Sequence, residues 1–233
     1  MDRKPKALTV LNWLTGAVFV VALYIVLIWA PQEAIMGDVQ RVFYFHVAAG
    51  WVGALAFLVT AIVGGIYLAR GEKRWDRVAQ ASVEIGVVFA FINIVTGSIW
   101  ARPIWNTWWT WDPRLVTATV MELIYIAYMM LRQGIEDPDR RARFGAVYGI
   151  VGFISVPLTF LSIRIFRTIH PVVVGSTDPA ALGAFDMTGD MRVAFFFSLF
   201  TFTLIYITLL WHRLRLQHKM EKIEERKLLA LSS

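Results

Sequence analysis

Residues 43–69 read FYFHVAAGWVGALAFLVTAIVGGIYLA, 27 positions without an Asp, Glu, Lys or Arg. As a helix this run covers about 40 Å, more than the roughly 30 Å of a bilayer's hydrocarbon core. Backbone N–H and C=O groups find no water at that depth, so an apolar run of this length is read as a spanning helix. Five further runs of the same kind lie on either side, at approximately 8–30, 78–100, 114–132, 144–162 and 192–212. The breaks between them are charged or marked by proline: 31–41, 70–77, 101–113, 133–143 and 163–191. The expected fold class is therefore an all-α integral membrane protein with six transmembrane helices in one domain, 1–233. The first run follows Arg3, Lys4 and Lys6, as in a signal peptide, but exceeds the usual apolar region of about 7–15 residues and reads as a retained anchor.

Composition agrees. Of the 233 residues 58% are hydrophobic and only 17% charged, where a soluble domain carries about a quarter charged. Lys and Arg set the orientation by the positive-inside rule. The N-terminus, the second and fourth loops and the tail over 213–233 hold 17 of the 23. The other six are Arg41, Arg102, Arg114, Arg164, Arg167 and Arg192. Both termini are thus expected in the cytoplasm, with the first, third and fifth loops outside. The net charge of +6 is split among short loops, which argues against a nucleic-acid face. With no cysteine, disulfides, thiolate metal sites and iron–sulfur clusters are excluded.

The outer side collects the unusual residues. Trp100, Trp105, Trp108, Trp109 and Trp111 are half of the ten tryptophans within twelve positions. An interfacial aromatic belt accounts for Trp13, Trp29, Trp75 and Trp211, but does not need five in one loop. Pro103 is suited to opening a helix and Pro113 to ending one before it, so a short helix over about 104–111, lying on the membrane surface, is expected. On it Trp105, Trp108 and Trp109 fall at i, i+3 and i+4 and form a wall of indoles, a flat apolar platform for a large planar ligand. Asp112 before Pro113 has a plain reading as the N-cap of the fourth span, and Arg114 one as a snorkelling rim residue.

His46, in RVFYFHVAAGW (41–51), and His170, in RIFRTIHPVVVG (164–175), both fall on the outer side; His212 and His218 fall in the basic tail. Singly, each outer histidine reads as a hydrogen-bonded interfacial residue. As a pair beside a tryptophan platform, without Cys, Asp or Glu to complete a tetrahedral site, they suit the two axial positions of a haem iron better than zinc. Neutral imidazole is the ligating form, so binding is expected to weaken in acid. Arg41, Arg114 and Arg102 are candidates for propionate contacts, guanidinium matching carboxylate in a fork. Glu122 lies about 13 Å into the fourth span, where an ionised acid costs on the order of 2.5–3.5 kcal/mol, so it should face the bundle interior. Glu84 is nearer the cytoplasmic end. Pro157 should kink the fifth helix, and Gly50 with Gly53 should permit close helix packing.

The run TGSIWARPIWNTWWTWDPRLV (96–116) resembles the tryptophan-rich "WWD" signature of the haem-handling CcmC/CcmF/CcsA group. With six spans and no room for the extra spans or domains of the larger members, the chain is similar to the CcmC family over almost its whole length. The resemblance implies that His46 and His170 are axial ligands of haem b. It implies that Trp100, Trp105, Trp108, Trp109, Trp111 and Asp112 form the haem-binding loop, and that Arg41 and Arg114 contact propionates. It further implies a multi-pass protein of the bacterial inner membrane that presents haem on the periplasmic side. The acceptor would be the haem chaperone CcmE, with the ABC transporter subunits CcmA and CcmB and the small protein CcmD as partners in c-type cytochrome biogenesis. Asn106 stands where Gly is common in the pattern, Pro113 where a small residue is, and Val116 where Thr is. No G-x-x-x-x-G-K-[ST] phosphate loop occurs, so the expected role is binding and transfer rather than catalysis, with ATP hydrolysis left to a partner. Two other readings compete: a b-type cytochrome exchanging electrons with quinone, and a small-solute permease lined by Glu84 and Glu122.

Overall fold

A computed structural model describes residues 4–34, 36–171 and 187–231. Six helical stretches among these are long and apolar enough to cross a membrane. The first span is α1 (Lys6–Tyr24), closed by a wider π-turn over Ile25–Trp29. Next come α2 (Gln40–Arg70), α3 (Lys73–Trp105) and α4 (Pro113–Gln133). The fifth span is divided into α5 (Pro138–Gly152) and α6 (Ser155–Ile165), and α7 (Gly189–Leu231) is the sixth. Every expected span is present, and most run a few residues further than the apolar windows because helical backbone continues into the polar flanks.

α2 and α3 form the centre, with α5 and α7 against α2 and α4 against α3. α1 packs chiefly on α7 through a narrow line, Leu8, Thr15 and Ala22, whose seven-residue spacing keeps one face on its neighbour. Much of the rest of that helix, Trp13 and Val20 included, is exposed apolar surface of the kind lipid covers. Buried polar pairs fix the register. Thr15 and Thr208 hydroxyls meet at 2.8 Å between α1 and α7. The Ser82 hydroxyl donates to the Ala56 carbonyl at 2.8 Å and lies 2.6 Å from the Tyr206 hydroxyl, joining α2, α3 and α7. Arg132 of α4 forks onto Asp76 of α3 at 2.5 and 3.0 Å. Glu84, expected near the cytoplasmic end, is held by two nitrogens of Arg213. Glu122 is buried as expected, with no hydrogen bond to Oε2 among the described residues.

Pro157 acts as its chemistry dictates. It has no N–H for the Phe153 carbonyl, which instead accepts from Val156 at 3.0 Å in a tighter turn, and the fifth span breaks there. The third loop departs from expectation. No separate surface helix forms over 104–111: α3 runs through Pro103 to Trp105 and stops where Asn106 turns left-handed, φ 55° and ψ 22°. Asn tolerates that conformation far better than most residues, which explains why it can stand where Gly is common. Arg102 seals the end, donating to the carbonyl of Asn106 at 2.7 Å and its side-chain oxygen at 2.6 Å. Residues 107–112 then run without helix to Asp112, which caps α4 as expected by accepting from the Arg114 amide at 2.9 Å. The wall spaced i, i+3, i+4 is therefore not built from one helix. The tail also differs: 213–231 continues α7 without a break. That stretch has no Gly or Pro and is rich in Lys, Arg, Glu and Leu, all good helix formers. Of the fifth loop, residues 172–186 lie outside those described.

Where α2 meets α3, a Cβ on Gly86 would lie 2.6 Å from Cε1 of Phe57, whose ring stacks on Tyr125 of α4 with centroids 3.4 Å apart. Gly86→Ala should lower stability, because about 1–3 kcal/mol of overpacking outweighs about 1 kcal/mol of helix propensity. Thermal unfolding in detergent should show a lower midpoint, and adding Phe57→Leu should recover part of the loss.

Candidate functional site

His46 lies two turns into α2 with its ring against α3. It fits because residue 97 is glycine: a methyl there would stand 2.8 Å from Cε1 of the imidazole. Nδ1 is 2.9 Å from the Asn93 carbonyl. A carbonyl only accepts, so Nδ1 carries the proton and Nε2 keeps its lone pair. The Asn93 amide donates back to the His46 carbonyl at 2.8 Å, so one residue of α3 grips both ring and backbone.

His170 comes from the segment after α6, where no helix holds it. Its Nδ1 lies 3.0 Å from the Pro171 carbonyl, which again leaves Nε2 as the nitrogen able to bind a metal. Asp112 holds the segment in place. Its Oδ1 accepts from the Thr168 hydroxyl at 2.6 Å and its Oδ2 from the Ile169 amide at 2.9 Å. Thr168 in turn accepts from the His170 amide at 3.0 Å. The capping carboxylate of α4 is thus also the tie between the third and fifth loops, and it is only 8% exposed.

These elements bring His46 and His170 to one recess whose walls include Trp100, Trp105, Trp109 and Arg114. Trp105 meets Trp100 edge to face at 5.4 Å and His170 at 6.3 Å. Arg114 turns inward rather than snorkelling: its guanidinium donates to the Thr159 carbonyl of α6 and lies 4.8 Å over the Phe160 ring. The other expected site residues are elsewhere. Trp108 and Trp111 are 58% and 82% exposed, outside the recess lining. Arg41 donates to Asp38 at 2.9 Å and the Val26 carbonyl at 2.6 Å, and Arg102 is spent on Asn106. His212, expected in the basic tail and not at the site, lies within α7 and is paired with the Asn12 side chain at 2.9 Å. Asn93, Gly97, Thr168 and Thr159 support the site without having been singled out as site residues; Asn93, a lone amide in an apolar run, is the one the sequence flags.

Burial, with the Arg114 charge and the His46 ring adding to it, pushes His170 down to about 3. Its imidazole is neutral at any physiological pH, so acid competes for the ligating nitrogen only at strongly acidic pH. Among the described residues no three His, Cys, Asp or Glu side chains cluster as a metal site. Two imidazoles whose Nδ1 atoms are committed to backbone carbonyls, aromatic walls and one guanidinium fit a planar iron macrocycle carrying carboxylates. The recess offers about 50 Å³, room for a water or two, so it must widen to take such a ligand.

Residues 2–229 match the family described as heme exporter protein C, CcmC. The chain is 32% identical over 213 residues to heme exporter protein C of Escherichia coli K12, covering 87% of this chain and 81% of the relative. It is 30% identical over 206 residues to the protein of that name from Bradyrhizobium diazoefficiens, covering 86% and 75%. A putative cytochrome c biosynthesis ccmC-like mitochondrial protein of Marchantia polymorpha is 26% identical over 149 residues, 64% of this chain and 63% of the relative.

Asp112→Asn should preserve the α4 cap but set an amide N–H₂ against the Thr168 or Ile169 donor. Losing a hydrogen bond to a charged group costs about 1.5–3 kcal/mol, so hydrogen exchange in a peptide over 166–171 should quicken roughly ten- to a hundredfold while α4 keeps its protection. The pH dependence follows from His170. The unfolded chain takes up a proton near 6.5 and the folded one only near 3. Stability therefore falls as pH drops through that window, by up to about 1.4 kcal/mol per unit. Unfolding midpoints at pH 7, 6 and 5 should decline less steeply in His170→Gln.

Proposed function

The chain belongs to the heme exporter protein C family, and from that premise we propose that it holds haem b between His46 and His170 and delivers it to the haem chaperone CcmE during c-type cytochrome biogenesis. The observation that carries this reading is the shared recess lined by two neutral imidazoles, each with Nδ1 committed to a backbone carbonyl, which leaves Nε2 as the nitrogen able to ligate iron. Trp100, Trp105 and Trp109 supply the apolar bed for the macrocycle, and Arg114 the cation for a propionate. Trp108 and Trp111, exposed beside the recess, are suited to contacts with the chaperone rather than with haem. Arg41 serves as a propionate contact only if it leaves Asp38.

The biased Lys and Arg distribution supports a site on the periplasmic face of the bacterial inner membrane, with both termini in the cytoplasm. CcmA and CcmB, with CcmD, supply the ATP-driven step, since this sequence holds no phosphate loop. The narrow recess suits a carrier. When the competent state is a minor one, apparent affinity falls by its population, and a cargo held no more tightly than its acceptor holds it can be passed on.

The test is the optical spectrum of the purified protein. His46→Ala combined with His170→Ala should abolish the Soret band of co-purified haem, and an unchanged band would remove both as ligands. Trp109→Ala should lower haem retention several-fold, whereas Trp108→Ala should leave retention near wild type and lower chaperone loading. Equal effects on retention would show that the two indoles do not divide the work in this way.

A further inference from the structure

At the opposite end of the bundle from His46, α3 and α7 line a groove of about 730 Å³, to which Lys4, ahead of α1, also contributes. Its composition changes along the helix axes. Val88 and Phe89 of α3 and Leu209 of α7 line the part nearer the bundle centre, and Lys4, Arg215 and Lys219 line the mouth. Glu84 is the acid in the lining, and Arg213 engages both its oxygens. The guanidinium of Arg213 keeps one further nitrogen, Nη1, without a hydrogen bond among the described residues. The groove therefore pairs an apolar floor with an excess of positive charge at one end.

Depth identifies the ligand. α7 enters the apolar zone near Arg192, and about 20 residues fill a hydrocarbon core, so Arg213 and Arg215 fall at the far boundary and Lys219 just beyond it. With Arg213 paired to Glu84, Lys4, Arg215 and Lys219 stand at headgroup level with apolar side chains beneath them, the layout of a phospholipid standing along the bilayer normal. Basic pockets between transmembrane helices on the cytoplasmic side are suited to acidic headgroups. We propose that this groove binds one anionic phospholipid, its phosphate among Lys4, Arg215 and Lys219 and an acyl chain along Val88, Phe89 and Leu209. The site is independent of the haem reading, because it shares no residue with the histidine recess.

The experiment is native mass spectrometry of the full chain released from nanodiscs of phosphatidylglycerol, or of phosphatidylcholine alone. Wild type should retain phosphatidylglycerol and not phosphatidylcholine. Each cation near an anionic surface is worth roughly fivefold in binding, so K4Q/R215Q/K219Q together should reduce retention at least tenfold with haem absorbance unchanged. Should that triple variant fail to fold, Val88→Trp, at a side chain already 56% exposed, fills the floor and should produce the same loss. Equal retention of both lipids, or no change in the substituted chains, would overturn the proposal. So would displacement of the lipid by millimolar inorganic phosphate, which would make the ligand a free anion. Displacement by haemin, with haemin then bound by wild type and not by the triple variant, would also overturn it and assign the groove to a second porphyrin.

Discussion

Helices α2 and α3 touch because glycine stands where one backbone meets a side chain of the other. Gly50 leaves room for the Asn93 amide, Gly86 for the Phe57 ring and Gly97 for the His46 ring. In a membrane, where lipid is as apolar as leucine, helices associate by fit and by hydrogen bonds rather than by escape from water. The Asn93 to His46 pairing is both at once. It settles the proton on Nδ1, and it holds the ring in a gap that no larger residue at 97 would leave. The orientation of the first imidazole is thus a property of helix packing, set before any ligand arrives.

The second imidazole is positioned by different means. His170 follows a short helix, and its place depends on one carboxylate that accepts from three donors in two separate segments. Capping a helix and tying a loop are ordinarily separate tasks. Their union in Asp112 means that the start of α4, the Thr168–His170 segment and Arg114, two residues beyond the cap, move as a unit. Arg114 extends the unit to α6 through the Thr159 carbonyl.

What the sequence made legible divides along physical lines. Runs of apolar residues report burial in lipid directly, so the six spans, the Pro157 break and the buried Glu122 could all be read. Local geometry where helices end depends on contacts made at a distance. Pro103 opens helices in many settings, yet here it sits inside the last turns of α3, because Asn106 and Arg102 close that helix immediately after Trp105. That displaced Trp108 from the wall and brought Trp100 into it. Arg41 shares the charge and the side of the bundle of Arg114 but has Asp38 one turn before it, and a nearby acid outcompetes a distant recess. Asp112 was legible as a cap because capping is a local pattern; its bonds to Thr168 and Ile169 span more than fifty residues and left no periodic trace.

The joint between α5 and α6 has a mechanical consequence. A continuous helix resists bending because each degree of tilt stretches hydrogen bonds along its whole length, whereas here Pro157 offers the Phe153 carbonyl no donor and the chain turns on two tighter bonds, Ile154 to Val151 at 3.1 Å and Val156 to Phe153 at 3.0 Å. The eleven residues of α6 can therefore tip as a short rod about a pivot inside the membrane. The far end of that rod leads straight into His170, and its middle holds Arg114. A few degrees at the pivot become roughly an ångström at the imidazole, so tipping this rod, with the start of α4 that is tied to it, widens the narrow space between the two rings.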